Sequence, residues 1–140
     1  MKIAVRYYTK TGNTKKLAEA IAYAIGTAAF DVSVPLCDGV DVLFLGSSVY
    51  AAGVDGEVAR FIDSVNVNVE KVVNFSTAAL LPSTYSQVKK LVEQKGMVMA
   101  TEEFHCRGSF RFMHKGKPDA ADCAQAAEFA KSVIEGATDL

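Results

Sequence analysis

Short runs of β-branched and aromatic residues alternate along this chain with stretches in which apolar residues recur every three or four positions. Runs of the first kind predict strands, and stretches of the second kind predict amphipathic helices. The alternation therefore predicts βαβ units, in which each helix crosses between two parallel strands. Strands are predicted over residues 3–8, 30–34, 42–46, 72–75 and 97–101.

One of the connections between these strands is short. Residues 35–41 are too few for a crossover helix, so this segment is predicted to be a loop or a stub of helix. The length of 140 residues fits one α/β domain over residues 1–140, and the longer connections predict helices that cross over a five-stranded parallel sheet. Helices are predicted over residues 13–25, 58–65 and 83–95, and from residue 118 onward.

Composition narrows the class of protein. Half of the residues are apolar, which allows a buried core, and the net charge of -1 favours neither nucleic acid nor a membrane surface. The first six residues read as a strand rather than a signal peptide, and no apolar stretch reaches the roughly 20 residues of a membrane helix. The three cysteines form no CxxC pair, so neither a zinc site nor a disulfide scaffold is expected, and a cytoplasmic location is predicted.

The segment after the first strand carries the strongest functional signal. A helix that follows directly would present unpaired N–H groups and a partial positive charge, which suit a phosphate. The pattern is neither a Walker A loop nor GxGxxG, and a helix cap rich in threonine and asparagine is the alternative interpretation. The residues predicted to hold the phosphate are Thr9, Lys10, Thr11, Gly12, Asn13 and Thr14.

Residues 3–21, IAVRYYTKTGNTKKLAEAI, resemble the opening of short-chain flavodoxins, including their T/S-x-T-G-x-T phosphate loop. The resemblance continues at residues 45–50, LGSSVY, and more weakly through residues 118–133. It implies a three-layer αβα, doubly wound, five-stranded parallel sheet with the strand order 2-1-3-4-5. It also implies flavin mononucleotide (FMN) as the cofactor, bound where the order reverses between the first and third strands.

The resemblance also implies which residues flank the flavin ring. Ser48, Val49, Tyr50 and Ala51 would pass along one side, with Tyr50 stacked on the ring or, alternatively, a half-buried loop tyrosine. The loop after the fourth strand would contribute Ser76, Thr77 and Ala78. This chain departs from the family at Ala51, where glycine is frequent. It also departs in residues 76–82, which contain neither an aromatic nor an acidic residue.

A basic and aromatic segment, residues 103–117, follows the fifth predicted strand. It is interpreted either as a crossover to the last helix or as a docking surface for an acidic redox partner or a phosphate-bearing nucleotide. Cys106 is either a redox-active thiol or a semi-buried one. Arg111 follows Cys106 too closely for a phosphatase motif. His105 and His114 show no evident partner in the sequence, so no catalytic role is assigned to them.

Together these observations predict an FMN-binding electron carrier that works with an unidentified redox partner protein. We expect no catalytic residue of its own, no metal, and a monomer or weak homodimer. A small FMN-dependent NAD(P)H oxidoreductase with a quinone-type acceptor is one alternative. A flavin-free interaction module that keeps the fold is the other.

Overall fold

The structure is a computed structural model that describes residues 1–49, 56–78, 83–108 and 116–138. Strands and helices alternate through these residues, apart from one connection that carries no helix. In chain order the elements are β1 Ile3–Tyr7, α1 Asn13–Ile25, β2 Ala29–Asp31, β3 Val40–Val49, α2 Gly56–Ser64, β4 Val69–Ala78, α3 Tyr85–Gln94, β5 Met99–Arg107 and α4 Ala120–Thr138.

The five strands form one parallel sheet in the order β2-β1-β3-β4-β5. Helices α1 and α4 pack on one face of this sheet, and α2 and α3 pack on the other. The three-layer, doubly wound fold and its strand order are therefore confirmed. The order reverses between β1 and β3, which is where ligands bind in open sheets of this kind.

Alternating side chains of the strands fill two separate cores. In β3, Val42 and Phe44 point toward α1 and α4, where they meet Leu17. Leu43 and Leu45 of the same strand point toward α2 and α3. The period of two along a strand therefore fixes the face on which each later residue of β3 lies.

Two central strands run further than the apolar pattern predicts. The sequence predicted that they end at residues 46 and 75, but β3 continues to Val49 and β4 to Ala78. The added residues pair in register as Ser47 with Ser76, Ser48 with Thr77, and Val49 with Ala78. The serine and threonine residues interrupt the apolar runs by which the strands were predicted, so the sequence placed these residues in loops, and that prediction is wrong.

The two outer strands also differ from their predicted bounds. Strand β2 stops at Asp31 because its carbonyl accepts the Val34 N–H at 2.9 Å and its carboxylate accepts the Ser33 N–H, also at 2.9 Å. These bonds turn the chain where the sequence predicted strand to residue 34. Strand β5 runs to Arg107, so the first part of the predicted basic loop, residues 103–107, belongs to the sheet.

Buried Arg6 holds the connection that lacks a helix. Its guanidinium donates to the carbonyls of Val34 at 2.8 Å and Pro35 at 3.2 Å, and lies 5.1 Å from the centre of the Phe30 ring. Burial lowers the pKa of this guanidinium below its ordinary value. Residues 32–39 therefore form a loop that Arg6 of β1 anchors. The predicted loop is confirmed for residues 35–39, whereas residues 32–34 were predicted to be strand.

Gly46 allows α1 to approach the sheet. A Cβ atom at this position would lie 2.3 Å from Cε2 of Phe75 and 2.9 Å from Cγ2 of Thr14. Both distances are shorter than van der Waals contact, so a larger residue would displace the aromatic ring or the start of the helix. Gly46 therefore sets how close the first turn of α1 lies to β3 and β4.

We expect Gly46→Ala to lower the free energy of unfolding by about 1–3 kcal/mol, because it overpacks this contact. Gly136→Ala is the matched control, since a Cβ there meets nothing within 4 Å. The control should be neutral or stabilising by up to about 1 kcal/mol, because alanine favours helix. Urea unfolding of both variants measures the difference, and equal stabilities would contradict the packing described for Gly46.

Candidate functional site

The turn between β1 and α1 ends at a glycine rather than at a side-chain cap. Gly12 precedes α1 with φ 89°, and no side chain caps the helix. Thr9 lies at the start of the turn, and its hydroxyl accepts the Gly12 N–H at 2.9 Å. The first N–H groups of a helix have no partner within the helix, so this end of α1 can donate to an anion.

The first turn of α1 is fastened to the end of β4. Asn13 and Thr14 are buried, whereas Lys10 and Thr11 in the preceding turn are exposed. The hydroxyl oxygens of Thr14 and Thr77 lie 3.0 Å apart, within hydrogen-bonding distance. The predicted phosphate loop thus extends into a buried contact with β4.

Ser48 carries a buried polar atom that has no partner. Ser48 is 5% exposed. Among the described residues, its hydroxyl oxygen is the buried side-chain N or O atom that makes no hydrogen bond. Ser48 pairs in register with Thr77 and lies two residues after Gly46, on the face toward α1. A buried hydroxyl left unpaired costs free energy, so its position indicates a ligand that supplies the partner.

These groups define a niche, which we call the hydroxyl niche: Thr14, Ser48 and Thr77 under the N-terminus of α1. The donors are neutral hydroxyl and backbone N–H groups. Such donors bind a phosphate ester through many hydrogen bonds and the helix dipole. The residues present therefore fit the phosphate group of a nucleotide.

Other predicted site residues lie apart from this niche or outside the described part. Tyr50 and Ala51 fall outside the described residues, and Val49 is the last residue of β3. Ser76 lies on the opposite face of the sheet, where its hydroxyl oxygen accepts the Thr84 N–H at 3.4 Å. Ala78 ends β4, and its carbonyl accepts the Gly108 N–H at 3.3 Å.

A second polar cluster occupies the opposite face of the same strand ends. Thr84 is fully buried and lies at its centre, because its hydroxyl accepts from Ser47 at 2.8 Å and from the Asn74 amide at 3.1 Å. Ser83 donates to a carboxylate oxygen of Glu103 at 2.6 Å. The cluster therefore ties the start of α3 to β3, β4 and β5.

His105 has a partner that sequence reasoning missed. Its Nδ1 lies 3.2 Å from a carboxylate oxygen of Glu103, two residues earlier in β5. The two side chains share a face because residues i and i+2 of a strand do so. That spacing would have revealed the pair if the fifth strand had been predicted to pass residue 101.

The described residues contain no group of three or more His, Cys, Asp and Glu side chains able to hold a metal ion. None of the helices among them is both long and apolar enough to cross a membrane.

Comparison with known proteins identifies the family. The family model described as the flavodoxin domain matches residues 4–131 of this chain. An uncharacterized protein of Methanocaldococcus jannaschii is 26% identical, over 88% of this chain and 91% of that protein.

Solved structures show the same fold. A flavodoxin from the domain Archaea superposes with a TM-score of 0.77 at 17% identity, covering 97% of this chain and 98% of its own. Flavodoxin 2 of Bacillus cereus gives a TM-score of 0.68 at 18% identity, covering 97% and 99% of the two chains. Rubredoxin oxygen:oxidoreductase of Desulfovibrio gigas gives a TM-score of 0.73 at 14% identity, and this chain covers 35% of that protein's length.

The three cysteines differ in their surroundings. Cys37 is exposed, whereas Cys106 and Cys123 are half-buried against the core between the sheet and α4. Burial, followed by the negative charge of Asp122, raises the pKa of the Cys106 thiol to about 12. The same two causes raise the pKa of Cys123. Since the thiolate is the reactive form, these surroundings favour the semi-buried interpretation of Cys106 over the redox-active one.

We expect a maleimide at pH 8 to modify Cys37 in the folded protein much faster than Cys106 or Cys123. The raised pKa values keep the latter two as thiols at that pH, and burial limits access to them. Peptide mapping by mass spectrometry after timed quenching gives the three rates. The same experiment in urea is the control, where the rates should converge. Fast labelling of Cys106 in the folded protein would contradict this environment.

Proposed function

We propose that this chain, which belongs to the flavodoxin domain family, carries electrons between redox proteins on a bound FMN. Membership of that family implies FMN as the cofactor. The observation that carries the binding site is the buried, unpartnered hydroxyl of Ser48, which pairs with Thr77, the residue that contacts the first turn of α1. It fits a ligand with strong acceptor oxygens, as a phosphate monoester has.

The residues that would hold the phosphate are Thr14 and Ser48 of the hydroxyl niche, together with the turn before α1. Thr14 and Ser48 offer hydroxyl groups, and the first N–H groups of α1 offer backbone donors. Thr11 lies in the turn that leads to Gly12 and is exposed to an incoming ligand. Bound FMN supplies the electron-transfer chemistry, so the protein's part is to bind and orient it.

The residue types around the niche suit cofactor binding rather than acid–base catalysis. Threonine, serine and asparagine side chains donate hydrogen bonds but neither gain nor lose a proton near neutral pH. They can therefore hold and orient a cofactor, whereas general acid–base catalysis needs a group that titrates. The proposed partner is a second redox protein, since a net charge of -1 gives no long-range attraction to nucleic acid or to a membrane surface.

The double variant Thr11→Ala, Thr14→Ala should weaken FMN binding by about 100-fold or more, because it removes two hydroxyl donors to a charged phosphate. Quenching of flavin fluorescence during titration with protein gives the affinity. Thr27→Ala is the matched control, because Thr27 follows the opposite end of α1, and it should bind as the parent does.

Two results would contradict the proposal at different points. If FMN causes no change in its visible spectrum or fluorescence with the parent protein, the cofactor assignment is wrong for this chain. If NADH or NADPH alone bleaches the bound flavin rapidly, the protein is a reductase rather than a carrier. A carrier should stay oxidised until a reducing partner protein is added.

A further inference from the structure

Thr77 and Thr14 form a buried contact between residues far apart in the sequence. Thr14 is 0% exposed and Thr77 is 1% exposed, and their hydroxyl oxygens are 3.0 Å apart. Each hydroxyl has one proton and two lone pairs. One of the two must therefore donate to the other, and the direction decides where the second proton points.

The surroundings of Thr77 favour one direction. A Cβ atom on Gly108 would lie 3.0 Å from Cβ of Thr77, 3.0 Å from Nδ2 of Asn13 and 3.3 Å from the Thr77 hydroxyl oxygen. Gly108, directly after β5, therefore closes that side together with the Asn13 amide. Ser48 lies beside Thr77 on β3, but its hydroxyl makes no bond in the structure. The Thr77 hydroxyl lies within hydrogen-bonding distance of Thr14, and Thr14 lies in the first turn of α1, where an anion would bind.

We propose that Thr77 is a positioning residue, which orients the Thr14 hydroxyl toward the phosphate of the cofactor. When Thr77 donates to the Thr14 oxygen, the single proton of Thr14 is directed to the anion. Bonded donors also polarise one another, which strengthens the Thr14–phosphate bond. This inference rests on the proposed function, and it differs from the sequence prediction, which placed Thr77 in a loop beside the flavin ring.

Fluorescence titrations of two ligands test this role. FMN carries the phosphate, and riboflavin has the same ring without it. Thr77→Val keeps the shape but removes the hydroxyl, so it should weaken FMN binding roughly 3- to 10-fold. Riboflavin binding should change less than about twofold, since a hydrogen bond to the phosphate alone is lost. Thr77→Ser retains the donor and should restore FMN binding.

A double-mutant cycle separates positioning from a direct or structural role. In the Thr14→Val background, Thr77→Val should cause no further loss of FMN affinity, because Thr77 acts through the Thr14 hydroxyl. An undiminished loss in that background would overturn the proposal. Equal losses for FMN and riboflavin would also overturn it, as would an unchanged affinity for FMN. If Thr77→Val does not fold, Thr77→Cys replaces it with the same expected pattern, since a thiol is a weak donor.

Inorganic phosphate distinguishes failure of this inference from failure of the proposed function. If the parent binds phosphate in a thermal-shift titration but does not bind FMN, the proposed function is wrong. The role of Thr77 is then judged by whether Thr77→Val weakens phosphate binding while Thr77→Ser does not. If the parent binds neither FMN nor phosphate, both the proposed function and the positioning role are wrong.

Discussion

The parallel pairing of β3 with β4 is the constraint on which both polar clusters depend. The two strands stay in register for three residue pairs beyond their apolar cores, to Val49 and Ala78. Because side chains alternate along a strand, Ser48 and Thr77 face α1, whereas Ser47 and Ser76 face α3. One pairing therefore builds the hydroxyl niche on one face and the cluster around Thr84 on the other.

The two clusters satisfy their polar groups differently, and this difference bears on function. On the α3 face the hydroxyls of Ser47 and Ser83 bond to Thr84 and Glu103. The start of α3 also favours a nearby carboxylate through its dipole. On the α1 face the Ser48 hydroxyl has no partner. The hydrogen bonds of the cluster around Thr84 therefore stabilise the folded protein, whereas the hydroxyl niche gains its missing hydrogen bond only from a ligand.

Apolar periodicity is a local signal and predicted the alternating strands and helices, whereas the strand order was implied by the resemblance to short-chain flavodoxins. The T-x-T-G-x-T spacing is also local, and the phosphate-binding turn that it indicates stays a prediction. The sequence could not predict where β3 and β4 end, since polar residues at buried strand ends carry no apolar pattern. For the same reason it placed Thr77 in a loop. The His105–Glu103 pair was missed because it depends on β5 reaching Arg107. Each of these errors concerns pairing between segments that are far apart in the sequence. A local pattern contains no information on such pairing.

The central claim is that the hydroxyl niche under the N-terminus of α1 holds the phosphate of FMN. A crystal structure of the protein with FMN tests it most directly. We predict a phosphate oxygen within about 3 Å of the hydroxyl oxygens of Thr14 and Ser48, so that Ser48 gains its partner. A phosphate bound elsewhere on the chain, with the Ser48 hydroxyl still unpartnered, would contradict the account.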